Sequence, residues 1–187
     1  MADTILTLKQ IEDLFQSLTC TLLGLNPAAP SSQDKVRIAW PTGGAPAWKI
    51  NQDIAFLRIN PVPDPYTQQR ETNYQQDTAG VAVNVVASYT RVHSVQWVVY
   101  GPNSFENAEI IRNGIYLFST KSTLAAKNLH LILDVPPVVR LPELFNGQWW
   151  QRAHLQVKFN EKVTRYSSVP YITGTGIKIY TENGEVN

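Results

Sequence analysis

The sequence predicts a single α+β domain over residues 1–187: a mainly antiparallel β-sheet with two amphipathic helices packed on one face. Three observations predict it. An amphipathic helical stripe opens the chain, and a second follows Ser104. The segments between and after them are rich in β-branched and aromatic residues at strand-like lengths. Helices and runs of strands therefore alternate as α–β–α–β, the order of helices laid on one face of a sheet. A chain of 187 residues suits one such domain.

The first helix is expected over Thr7 to Leu23, where Leu8, Ile11, Phe15, Leu18 and Leu22 recur at three- and four-residue steps. Thr7 with Gln10 fits a capping box, Leu6 with Ile11 a hydrophobic staple, and Gly24 a left-handed C-terminal cap. Cys20 lies off this stripe and receives no role. The run "NPAAPSSQDK" reads as a long loop, followed by a short strand "VRIAW" with Val36, Ile38 and Trp40 on one face. "PTGGAPAW" is a turn-rich link, and "DIAFLRIN" is a buried strand that the prolines of "PVPDP" should end. Tyr66 to Gln76 is polar, an exposed strand or loop.

From Val81 to Tyr100 the chain is strongly β-prone. Tyr89, Arg91, His93, Val95, Trp97 and Val99 share one face; Val92, Val98 and Tyr100 share the other. So long a run suggests a bulge or bend. The second helix is expected from Ser104 to about Ser119, its stripe formed by Phe105, Ala108, Ile111, Ile115 and Phe118. Gly114 within it weakens the helix by ~1 kcal/mol against alanine, which points to a close packing contact. "LHLILDVPPVVRL", "WWQRAHLQVKFNEKV" and "GIKIYTE" are strand-like. No internal repeat, low-complexity segment or heptad run interrupts the chain.

Hydrophobic residues make up 43% of the chain, enough for a real core, while only 17% are charged. Asn and Gln take much of the polar surface, and so little charge suits extensive protein contact. The net charge of +1 does not suggest a nucleic-acid binder. The single cysteine excludes an intramolecular disulfide and a cysteine zinc site. "MADTILTLKQIEDLF" does not read as a signal peptide, and no apolar run approaches the ~18 residues that span a bilayer. A cytoplasm-like compartment is therefore expected.

The stretch "VQWVVYGPNSFENAEIIRNGI" carries the sharpest local pattern, a strand that turns at a glycine into a helix. Such a corner can cradle a phosphate, but "GPNSFEN" lacks a P-loop lysine and further glycines, and Pro102 removes an N–H donor. Asn103 with Glu106 fits an N-cap and its reciprocal acid instead. His93, His130 and His154 show no metal-ligand spacing, so a core or interface role is expected for each. No GxSxG elbow accompanies them. "TGTGIK" (Thr173 to Lys178) enters a strand and reads as a hairpin turn, while Asp134 and Glu143 are isolated acids. Of Trp149 and Trp150, one is expected to enter the core and the other to meet a neighbouring subunit. An aromatic platform for a sugar is the alternative.

At the same corner, "VQWVVYGPNS" followed by "ENAEIIRNGI" resembles the neck and tail-terminator proteins of tailed bacteriophages. In that family a strand ends in an aromatic–glycine turn, and the following helix carries a small and then a basic residue. Tyr100, Gly101, Ala108 and Arg112 stand at the matching places, beside the capping pair Asn103 and Glu106. The resemblance implies a structural virion protein with no catalytic, metal or cofactor site. It implies a homo-oligomer, a hexameric ring, that caps the tail and joins it to the head connector. The implied partners are the tail tube protein, the head–tail connector or stopper and, in a contractile tail, the sheath protein. No membrane is involved, and DNA is only cargo passing through the channel. Another neck ring, such as a head-completion or stopper protein, is the alternative within the same resemblance. A host-binding module or a small hydrolase using His93 or His154 are the alternatives outside it.

Overall fold

The structure, a computed structural model, describes residues 3–39, 47–76, 82–170, 179–181 and 184–186. Trp40 and the Thr173–Lys178 turn expected from the sequence lie outside them. Helix α1, Leu8–Leu22, forms where the apolar spacing places it, and the Thr7–Gln10 capping box is present in both directions. Its end is a Schellman turn: the Gly24 N–H reaches Thr21 O at 3.1 Å and the Leu25 N–H reaches Cys20 O at 2.8 Å, with Gly24 at φ +70°. Ile11, Phe15 and Leu18 are buried as the stripe requires, whereas Leu8 faces outward. Cys20, off that stripe, is buried as well, because a second packing surface covers its side of the helix. That surface is a helix where a plain loop was expected. Helix α2, Pro30–Lys35, starts on Pro30, whose fixed φ suits a first helical turn.

Strands β1, Val36–Ile38, and β2, Ile54–Val62, pair in parallel. The prolines do not end β2 where expected: Pro61 remains in the strand, opposite His93. Odd-numbered β2 residues turn away from that neighbour, as Leu57 does when its carbonyl accepts from Ala39 N–H at 2.7 Å, so the missing Pro61 donor leaves no ladder bond unmade. A 3-10 turn at Pro65–Thr67 leads into β3, Glu71–Gln76, every residue of which is exposed.

The central pair is formed by β4, Ala82–Tyr100, and β9, Arg152–Pro170, each 19 residues long. Their antiparallel register runs from Ala82↔Pro170 to Tyr100↔Arg152 without a slip, so no bulge interrupts it. A partner of equal length supports every rung, and the strand has no need to break. Between them in the chain come α3 (Ser104–Gly114), α4 (Phe118–Ala125), β5 (Leu129–Leu131), β6 (Val139–Arg140), β7 (Glu143–Phe145) and β8 (Gln148–Trp150). The chain closes with β10, Ile179–Thr181, and β11, Gly184–Val186. Among the described residues seven strands make one sheet, ordered β1-β2-β4-β9-β5, with β3 on β4 and β6 on β9.

The second helix is two helices. Its stripe buries Ala108, Ile111 and Ile115, but Phe105 lies partly exposed and Phe118 is 86% exposed at the start of α4. The break follows Gly114, where a side chain would collide with Leu22 of α1: a Cβ there would lie 2.5 Å from a Leu22 methyl carbon. The close contact that glycine signalled is thus a helix–helix crossing at a helix end. The core lies between the helices and one face of the sheet. Phe15 meets Trp97 edge-on and Phe159 at 4.8 Å, and Trp97 Nε1–H donates to Thr19 Oγ1 at 2.9 Å.

Candidate functional site

The corner after β4 is built by a contact that no local pattern announces. Gly101 adopts φ +111°, and a Cβ on it would lie 2.4 Å from an Asp53 carboxylate oxygen and 2.6 Å from Gln52 O. Only glycine lets the loop before β2 approach so closely. Asp53 uses that closeness to accept from the Asn103 backbone N–H at 3.0 Å and from Asn103 Nδ2 at 2.8 Å. The expected Asn103–Glu106 box is therefore not made. The Asn103 side chain makes no cap bond to its own helix, because Asp53 holds it, and Glu106 sits exposed in the first turn. Two acids at this helix start disfavour an anion there. Ala108 is fully buried, and Arg112 Nε donates to Pro136 O at 2.9 Å, tying α3 to the segment before β6.

Tyr100, the last residue of β4, points to the face opposite the helices and joins an aromatic cluster there. Trp48 lies 5.0 Å from Phe56, 5.6 Å from Tyr100 and 6.0 Å from Trp150, and Phe145 packs edge-on to Trp150. The Tyr100 hydroxyl donates to Glu143 Oε2 at 2.8 Å, and Arg152 Nη1 meets the same oxygen at 3.1 Å. Burial, reinforced by that carboxylate, pushes the Tyr100 hydroxyl up to about 12. His154 beside them is held below its ordinary range by burial and by Arg152. The paired tryptophans divide their labour: Trp150 packs in this cluster, while Trp149 is 64% exposed on the β7–β8 hairpin. Asn146 and Gly147, at φ 49° and 75°, form the hairpin's turn. Leu144 and Phe145 are exposed on the same ribbon, a concentration of apolar surface that suits a protein contact.

A third feature is a buried carboxylate. Glu161 is 1% exposed on β9, in the core-facing phase of Leu155, Val157, Phe159 and Val163. It accepts from Arg91 Nη2 at 2.5 Å and from the Leu6 N–H at 2.9 Å, and His93 Nε2 lies 2.8 Å away. Arg91 in turn donates to Leu6 O at 2.9 Å. Burial alone would raise the Glu161 carboxyl, but the bonds from His93, Leu6 and Arg91 prevail and hold it below its ordinary range. His93 is thus a core histidine, as expected, within a hub that clamps the N-terminal segment to the sheet. Sequence reasoning passed over Glu161, although an acid in the apolar phase of an alternating strand was its signal. Asp53 left no signal, being 50 residues from Asn103.

Among the described residues no group of three His, Cys, Asp or Glu side chains could hold a metal ion, and no helix is long and apolar enough to cross a membrane. The family described as phage neck terminator protein matches residues 9–184. The chain belongs to that family. No curated protein matches it significantly. As a phage neck terminator protein it is a structural component of the virion neck, and its surfaces serve other phage tail and head proteins and copies of itself.

Proposed function

We propose that the protein forms a closed ring, six copies joined head to tail, that caps the finished tail tube and joins it to the head connector. The observation that carries this reading is the family match across residues 9–184. Two exposed apolar surfaces support it, the β7–β8 hairpin with Leu144, Phe145 and Trp149 and the α3–α4 turn with Leu117 and Phe118. Unlike patches on one molecule suit heterologous contacts, which close into a ring or continue as a filament. The tube protein and the connector or stopper are the partners, with the sheath protein in a contractile tail, and DNA is passing cargo. Residues 1–187 act as one domain without catalytic or cofactor chemistry, assembled in the host cytoplasm. Tyr100, Gly101, Asn103, Glu106, Ala108 and Arg112 serve as the structural corner that sets α3 on the sheet.

The test is the particle. Labelled protein should form one ring at the head–tail junction, and phage lacking it should carry tails that do not join heads. Label along the tube, at distal fibres or absent from particles would overturn the assignment.

A further inference from the structure

The outer half of the central sheet has two long edges, and they are treated differently. On β9, even-numbered residues turn their backbone groups outward, as Lys162 does when its N–H donates to Asn128 O at 3.0 Å. The N-terminal segment takes this edge. Thr4 N–H donates to Thr164 O at 2.9 Å, the Tyr166 N–H donates to Asp3 Oδ1 at 2.9 Å, and Thr4 and Thr164 form an antiparallel bridge. Arg165 adds an ion pair to Asp3 at 3.7 Å. The Leu6 bonds to Glu161 and Arg91 hold the same segment further in.

The other edge is β3. Its register on β4, Glu71↔Ser88 to Gln76↔Val83, leaves the N–H and C=O groups of Thr72, Tyr74 and Gln76 directed outward. Among the described residues no strand or segment covers them, and Tyr74 is 72% exposed. Edge strands are ordinarily defended by lysine, proline, a bulge or a cover. "TNYQQ" itself carries no charge and no proline, with Glu71 before it and Asp77 after it.

We propose that β3 of one copy adds to the β9 edge of the next, and that the N-terminal segment from Asp3 to Leu6 is a placeholder that a neighbour's β3 displaces over Thr164 and Tyr166. The occupant is a second copy for two reasons. First, the β9 edge already accepts a strand-like segment of this same chain, so its capacity for such pairing is displayed. Second, β3 and β9 both run antiparallel to β4 and hence parallel to each other. Copies related by rotation about an axis along the strands therefore bring these two unlike edges together as a parallel pair, with all three strands of each copy continuing one sheet. A two-fold dimer would instead bring β3 against β3. At the bridge the return bond is divided, the Thr164 N–H being shared between Thr4 O at 3.4 Å and Thr4 Oγ1 at 3.1 Å, so Thr4 is the residue whose replacement frees this edge. The inference deepens the ring reading and rests on it for the head-to-tail arrangement.

The experiment compares three full-length proteins by sedimentation velocity over a concentration series: wild type, the double variant Asp3→Ala/Thr4→Pro, and that variant with Tyr74→Pro added. Proline at Tyr74 removes an outward N–H as Pro61 does in β2, so the β3–β4 ladder is kept, and circular dichroism with thermal melting verifies the fold of each. Loss of the competing bonds should lower the concentration for half-assembly about tenfold, and Tyr74→Pro should return it to the wild-type value or above. An unshifted double variant, or assembly that ignores Tyr74→Pro, overturns the proposal. A neck ring in virions together with no solution shift sinks the edge pairing alone. A clear solution shift with no protein at the neck sinks the ring assignment and leaves the pairing.

Discussion

The two halves of β4 share one ladder and one partner, yet live in different surroundings. From Val92 to Val99 the strand lies beneath the helices, with Val95, Trp97 and Val99 fully buried. From Ala82 to Thr90 every residue is only half-buried, and the neighbouring β3 is wholly exposed. The hydrogen bonding is equivalent in both halves, so the ladder alone does not decide where stability resides. Apolar burial does, at roughly 25 cal/mol per Å². The covered half holds the fold, and the uncovered half adds little to its stability.

Substitutions can break that contrast, beginning with the largest effect. Trp97→Ala should cost ~3–5 kcal/mol in denaturant melts, because it removes the centre of the core and the indole donor to Thr19 Oγ1. Val85→Ala, in the same strand and outside the core, should cost less than ~0.5 kcal/mol. Similar losses at the two sites would refute the division. Ile111→Ala should cost ~2–5 kcal/mol if α3 belongs to the covered half, and a loss below about 0.5 kcal/mol would detach the helix from it.

Gly101→Ala should cost about 1–3 kcal/mol, because the left-handed backbone and the Asp53 contact both resist a Cβ. A neutral result would show that the loop before β2 gives way. A smaller effect than that of Gly101 lies at the boundary between the halves. Glu161→Gln should cost ~1–2 kcal/mol at neutral pH, since Arg91 and His93 lose their carboxylate. The folded Glu161 carboxyl is held below the ordinary ~4.3. Its contribution is therefore complete above that value and is lost as pH falls through the lower folded value. Wild type should lose its advantage over the glutamine variant in that acid range. Parallel stability–pH curves would remove Glu161 from the account.

What the sequence disclosed follows the reach of each interaction. The start and end of α1 are governed by Thr7, Gln10 and Gly24, all within a turn of the positions they serve, and these were legible. The equal lengths of β4 and β9 were half-legible: both runs read as strands, but that each would spare the other a bulge depends on their pairing. The end of α3 at Gly114 is set by Leu22, far away in the chain, and the N-terminal partner of α3 is Asp53, not its own Glu106. Composition alone could not reveal these. The corner motif Tyr100–Arg112 led to the family, although its residues turned out to be tied to partners outside the motif: Glu143, Asp53 and Pro136.

The unbroken β4–β9 register has a mechanical consequence. Nineteen paired residues extend roughly 60 Å. A load drawn between the Tyr100 end of β4 and the Pro170 end of β9 acts along the strands from opposite ends, so every rung is sheared at once and none can yield first. A load that parts Ala82 from Pro170 meets the rungs one at a time and opens them like a zip. The same ladder is therefore stiff or weak according to the direction in which it is loaded.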